Sequence, residues 1–132
     1  MTTHQQDTIR KLQCLAPASF QIRIDGQCMA PALEDGKRVP VRASSQYWPG
    51  DIIVFVDDFG QVLAHRLLGV YLNKEGVYYL TQADNAQGAD KGIARQQIIG
   101  KIMLPVPPTK RLHSIGRLLK FSGKWIIARA IR

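Results

Sequence analysis

The chain has only two cysteines in 132 residues, Cys14 and Cys28. That scarcity excludes a disulfide scaffold and a cysteine-based zinc site, and makes a reducing, cytoplasmic setting the expectation. The three histidines, His4, His65 and His113, show no ligand spacing with the carboxylates, so neither a metal nor a cofactor is expected. No apolar run approaches the roughly eighteen residues that would cross a bilayer. The opening stretch MTTHQQDTIRKLQ is too polar for a secretory signal. Acid is missing from the whole of residues 91–132. Residues 1–90 hold 8 Lys/Arg and all 10 Asp/Glu, a net charge of −2, whereas residues 91–132 hold 10 Lys/Arg and no acid. The overall +8 is therefore a property of the C-terminal part. With 45% apolar and 21% charged residues, wholesale disorder is excluded, and the length suits a single buried core.

The pattern along the chain is that of short strands joined by turns. Phe20, Ile22 and Ile24 alternate with polar neighbours, which is period two. Val39 and Val41 flank Pro40, the mark of a short or edge strand. The run Ile52–Val56 (IIVFV) predicts a buried strand. Gln61–Tyr71 and Val77–Thr81 predict a hairpin about Asn73-Lys74-Glu75-Gly76, and Ile98–Leu104 predicts a last strand. Residues 1–19 read as an N-terminal extension in which Pro17 ends any early helix. Residues 109–132 read as a basic amphipathic helix. Its stripe is Leu112, Ile115, Leu119, Ile126 and Ala130, weakened by Gly116 and Gly123; Phe121 and Trp125 lie outside it.

Three residues stand out chemically. Cys28 follows a glycine break at the end of a strand, where the backbone can present a thiol beside free N–H groups. A lone cysteine is more often a small buried hydrophobe; Cys14 reads as that or as simply exposed in a mobile N-terminus. His65 lies within an apolar strand, positioned to act as a base. Asp84, after the next strand, is placed to orient an imidazole or to cap its own turn. His4 and His113 lie in polar tails and need no special role.

Taken together these segments resemble the signal peptidase I superfamily. Gly26-Gln27-Cys28-Met29-Ala30-Pro31-Ala32-Leu33-Glu34-Asp35-Gly36 is similar to its nucleophile box G-x-S-M-x-P-x-L-x-x-G-D. Pro49-Gly50-Asp51-Ile52-Ile53-Val54-Phe55 resembles P-G-D-I-V-V-F. His65-Arg66 stands where bacterial leader peptidases carry Lys-Arg and archaeal and endoplasmic-reticulum signal peptidases carry His-Arg. Ala83-Asp84-Asn85 resembles G-D-N, and Ile99-Gly100-Lys101-Ile102 the closing I-G-K-V. The resemblance spans about residues 20–104. It departs from the pattern at Cys28 for serine, Lys37 for aspartate and Ala83 for glycine, and the family's membrane anchor is not matched.

The resemblance implies a mainly β domain over residues 20–108, a signal-peptidase-like barrel or coiled antiparallel sheets, followed by the basic helical segment 109–132. It implies an endopeptidase that trims a leader or precursor peptide. Cys28 would be the nucleophile, His65 the base and Asp84 the orienting carboxylate, acting through a thioester. The substrate would lie against a strand edge, with Phe20, Ile22, Gln27, Met29 and Pro31 as candidate contacts. The alternatives are an inactive peptide-binding module of the same fold and a self-cleaving repressor-type domain. For residues 109–132 the expectations are packing on the body through Leu112, Ile115 and Leu119, or peripheral contact with an anionic membrane at the inner face or with an acidic partner. No nucleic-acid partner is expected, since the cations belong to no recognised binding motif.

Overall fold

A computed structural model of the chain describes residues 2–15 and 19–131; for Leu15 and residues 122–131 it describes only the course of the backbone. Pro17, and the side chains of Trp125, Ile126 and Ala130, lie outside the described residues. The elements are α1 (Thr3–Leu15), β1 (Phe20–Arg23), β2 (Arg38–Arg42), β3 (Ile52–Val56), β4 (Val62–Asn73), β5 (Gly76–Gln82), β6 (Ile93–Ala94), β7 (Ile98–Ile102) and α2 (Pro108–Ile131).

The strands form one antiparallel sheet in the order β1-β2-β7-β3-β4-β5-β6. The sheet is not closed into a barrel, so of the two forms expected, coiled open sheet is the one found, with β1 and β6 as its edges. The coiling has a visible cause. Strand β4 is 12 residues long, pairing with β3 through Val62–Arg66 and with β5 through Arg66–Asn73. Register shifts at Leu67/Gly69 and Val54/Phe55 bend the strands where they change partners.

The IIVFV strand is buried on both faces. Ile52, Val54 and Val56 enter one core cluster with Met29, Leu33, Val41 and Ile99, while Ile53 and Phe55 enter a second with Leu67, Tyr79 and Ile98. A continuous apolar run is what a strand with two covered faces requires.

Helix α1 contributes to the first cluster through Ile9, with Leu12 packed against it. Its start is capped by Thr2, whose Oγ1 accepts the Gln5 N–H at 3.1 Å. Gln5 is itself buried and donates Nε2–H to the Asp57 carbonyl at 2.8 Å. The first nineteen residues are thus not a bare extension: thirteen of them form a helix seated on the strands.

Gly100 explains the glycine of the closing strand. A Cβ there would lie 2.6 Å from the Arg42 carbonyl oxygen and 2.7 Å from its carbon. Both are backbone atoms of the neighbouring β2 and cannot swing aside. Gly100→Ala is therefore expected to destabilise the fold by about 2 kcal/mol or more, near the upper part of the usual overpacking range. A denaturant titration with unchanged slope and an unchanged midpoint would contradict this.

Helix α2 lies against β4. Pro108 occupies its first turn, where the missing N–H costs nothing. Arg111 reaches back to the Pro49 carbonyl at 3.1 Å and to buried Asp51 at 3.0 Å. Arg117 donates to the Gln82 amide oxygen at 2.6 Å. Gly69 makes room for Leu118, whose methyl group a Cβ at Gly69 would overlap. The inward face is thus Ser114, Leu118 and these two arginines. The packing expected through Leu112, Ile115 and Leu119 does not occur; those three side chains are exposed.

Candidate active site

Cys28 is exposed, in the turn that follows β1. Gly26, with φ +96°, reverses the chain ahead of it, and its N–H is held by Asp35 Oδ1 at 2.9 Å. The turn is closed by Ala30 N–H to the Gln27 carbonyl at 3.1 Å and by Leu33 N–H to the Met29 carbonyl at 2.8 Å. Among the bonds of the described residues, the Cys28 amide N–H has no acceptor.

The turn is braced from a distance. Asn85 donates its backbone N–H to the Cys28 carbonyl at 3.0 Å, and its side-chain amide to the carbonyls of Gln27 and Ala30. Asn85 was not singled out from the sequence beyond its place in the Ala83-Asp84-Asn85 segment. An asparagine that satisfies three carbonyl acceptors of one turn is a positioning device, because each bond fixes backbone that side-chain packing leaves free.

His65 lies on β4 with its side chain 12% exposed. Its ring meets Phe55 edge-on, centroids 5.9 Å apart. Nδ1–H donates to Asp90 Oδ2 at 2.7 Å; the Thr81 hydroxyl donates to the same oxygen at 2.7 Å, and the Asp90 N–H bonds the Thr81 carbonyl at 2.8 Å. A carboxylate can only accept here, so the proton sits on Nδ1 and Nε2 is left as the basic nitrogen.

The carboxylate that His65 meets is Asp90; the expected one, Asp84, meets Arg66 instead. Asp84 receives Arg66 in a two-pronged pair, both bonds 2.8 Å, and the third contact of that guanidinium is the Gly50 carbonyl at 2.7 Å. Arg66 is 5% exposed, and buried guanidinium wants such a fork. Arg66 therefore ties the Pro49-Gly50 turn to β4 and to the segment after β5, and the Asp84 N–H rests on Met29 Sδ at 3.2 Å.

Cys28 and His65 line one groove of about 410 Å³. Its walls come from edge strand β1 (Ile22, Arg23), the start of β4 (Leu63, Ala64) and Leu12 of α1. Of the expected substrate contacts, Ile22 and Met29 line this groove, although Met29 is 3% exposed and mostly core. Phe20 packs against the first core cluster, Gln27 contributes its carbonyl to Asn85, and Pro31 lines a different recess beside Arg66 and Pro107. Among the described residues no hydrogen bond joins Cys28 Sγ to the imidazole; the two share the groove only as lining. No group of His, Cys, Asp and Glu among the described residues is arranged to hold a metal ion.

A family model described as Peptidase S24-like matches residues 2–103. The chain belongs to the Peptidase S24-like family. The match takes in α1 as well as the sheet through β7, the elements that share the first core cluster. The fold is accordingly that of a peptidase or self-cleaving repressor-like domain. No curated protein matches the chain. No helix among the described residues of this S24-like chain is long and apolar enough to cross a membrane.

The geometry separates the two aspartates experimentally. Asp90→Asn replaces the carboxylate on the imidazole N–H by a neutral amide, which can also present a donor to Nδ1; if the imidazole serves as a base in peptide cleavage, the rate is expected to fall by about a hundred-fold or more, with little loss of stability. Asp84→Asn leaves buried Arg66 without a carboxylate and is expected to lower Tm first. Equal effects of both substitutions on rate and on Tm would contradict the assignment.

Proposed function

We propose that this S24-like chain is a cysteine endopeptidase acting on a leader or precursor peptide, with Cys28 as nucleophile, His65 as base and Asp90 as the group that holds the imidazole. The observation that carries the reading is the His65–Asp90–Thr81 chain of hydrogen bonds ending in the groove that Cys28 also lines. Such a chain holds Nδ1 and leaves Nε2, which has no hydrogen-bond partner among the described residues, as the nitrogen able to take a proton.

The substrate binds extended along β1, whose outer edge pairs with no other strand among the described residues. His65 Nε2 takes the Cys28 proton as Sγ bonds to the scissile carbonyl carbon. The oxygen gathers the charge and accepts a hydrogen bond from the Cys28 N–H. Collapse breaks the C–N bond, His65 returns the proton to the departing amine, and a thioester remains. Water then gives a proton to His65 as its oxygen bonds to the acyl carbon; the C–S bond breaks, the acid leaves, and His65 returns the proton to Sγ.

The test is incubation of the protein with the small peptides encoded beside its gene, followed by mass measurement of the products. Cleavage at one bond, with a transient adduct on Cys28, is expected. Tight binding without cleavage would make the chain a peptide-binding module instead. Cleavage confined to its own backbone would make it a self-processing domain.

A further inference from the structure

Strand β5 ends beside His65. Its last pairs are Thr81 with Leu67 and Gln82 with Arg66; the next residue, Ala83, turns away into the first core cluster. The strand thus leaves the register position opposite His65, and Asp90, at the end of the loop that starts there, meets the imidazole instead. Thr81 stands opposite Leu67, two positions along β4 from His65, so the two side chains are diagonal neighbours on one face. Thr81 is completely buried and holds Asp90 at two points. Its carbonyl accepts the Asp90 N–H at 2.8 Å, and its hydroxyl donates at 2.7 Å to Oδ2, the oxygen that His65 also uses.

We propose that Thr81 is a positioning residue for the imidazole, acting through Asp90; the inference rests on the reading of His65 as the base. The backbone bond fixes only where the Asp90 main chain lies. The carboxylate itself turns about two bonds and is 29% exposed, so without a second tether it can swing toward water. The Thr81 hydroxyl is that tether. It sits on a β-branched, buried side chain with little rotamer freedom, and a hydroxyl bonded to a carboxylate is a charge-assisted contact. With Oδ2 held, the carboxylate keeps the proton on Nδ1 and leaves Nε2 basic. The other half of the loop has moorings of its own, Asp84 on Arg66 and Asn85 on the Cys28 turn. Loss of the Thr81 hydroxyl is therefore felt at His65 and not at the turn. Thr81 is not among the residues lining the groove, so it acts on the chemical step and not on peptide binding.

The test compares Thr81→Val, which keeps the volume and removes the hydroxyl, with Thr81→Ser, which keeps the hydroxyl. Should Thr81→Val not fold, Thr81→Ala against Thr81→Ser makes the same comparison. Ring-nitrogen NMR of the full chain with labelled histidine, imidazoles neutral, reads which nitrogen carries the proton, and His65→Gln assigns the signal. The parent and Thr81→Ser should hold the proton on Nδ1, whereas Thr81→Val should show a mixture of the two forms. The Asn85 side-chain amide signals should stay at their parent positions in both variants. With the peptide found in the incubation above, Thr81→Val should lower kcat by about ten-fold and leave KM within about two-fold, and Thr81→Ser should restore kcat. Thr81→Val with the proton still on Nδ1 and kcat unchanged would overturn the proposal. So would Asn85 signals displaced as far as those of His65, which would mark a general loosening of the loop, or Thr81→Ser behaving as Thr81→Val does. A parent protein that cleaves no peptide would sink the peptidase reading, and the ring-nitrogen spectra would then decide this one alone.

Discussion

Cys28→Ala should abolish peptide cleavage, and His65→Ala should fall nearly as far, by about a thousand-fold or more. The two groups act as one unit in the proposed reaction: without the thiol there is no acceptor for the acyl group, and without the imidazole there is no proton acceptor. Cys28→Ala should not disturb the fold, whereas His65→Ala removes a side chain only 12% exposed and should also lower Tm, so its rate is compared on folded protein. Cys28 is exposed, and the turn that carries it is held through backbone carbonyls by Asn85 rather than through the thiol. The double variant should be no slower than the worse single one. Additive losses, or cleavage by His65→Ala at the parent rate, would show that another base operates. Cys28→Ser retains the proton-transfer partner with a poorer nucleophile and should keep a small residue of activity. Cys14 is also exposed, on α1, so Cys14→Ala serves as the matched control with parent activity.

Arg66→Met should be the most damaging single change to stability, by about 3–5 kcal/mol. The guanidinium neutralises Asp84, whose side chain is 15% exposed, and also satisfies the Gly50 carbonyl. Removing it strands a carboxylate beside the core and opens the junction between β4 and the Pro49-Gly50 turn. The double variant Arg66→Met with Asp84→Leu should recover a large part of the loss, because no unpaired charge then remains. A double variant as unstable as the single would mean that the guanidinium acts mainly by filling space. Activity should follow stability here, since Asp84 precedes the residue that holds the Cys28 turn.

The strands were largely legible because their cause is local. Alternation marked β1, the unbroken run marked β3, and Asn73-Lys74-Glu75-Gly76 marked the β4–β5 hairpin, in which Asn73 pairs with Gly76. Helix α1 was not legible because its inward row is Gln5, Ile9 and Leu12, and the polar member is buried only by virtue of a bond to a carbonyl 52 residues away. Thr2 and Gln5, at the spacing of a capping box, were the available signal. Strand β6 is two residues long and leaves almost no pattern. The exchange of Asp84 for Asp90 has a similar origin. Both follow β5, and only the return of the chain onto the Thr81 carbonyl decides which carboxylate meets His65. The orientation of α2 was misread because hydrophobicity favoured the leucine row, whereas Gly69, Asp51 and Gln82 select the face that fits.

The bonds from Asn85 to the turn of Cys28 span more than fifty positions of the chain. During synthesis, therefore, the thiol leaves the ribosome long before the segment that seats it, and the imidazole partner Asp90 emerges later still. A nascent chain thus carries Cys28 in an unlatched turn until the second half of the sheet has been made. The same order marks the exposed Asp57–Gly60 turn between β3 and β4 as a place to divide the molecule in two. One half then holds the thiol and the other holds both the latch and the base, so that activity reports their reunion.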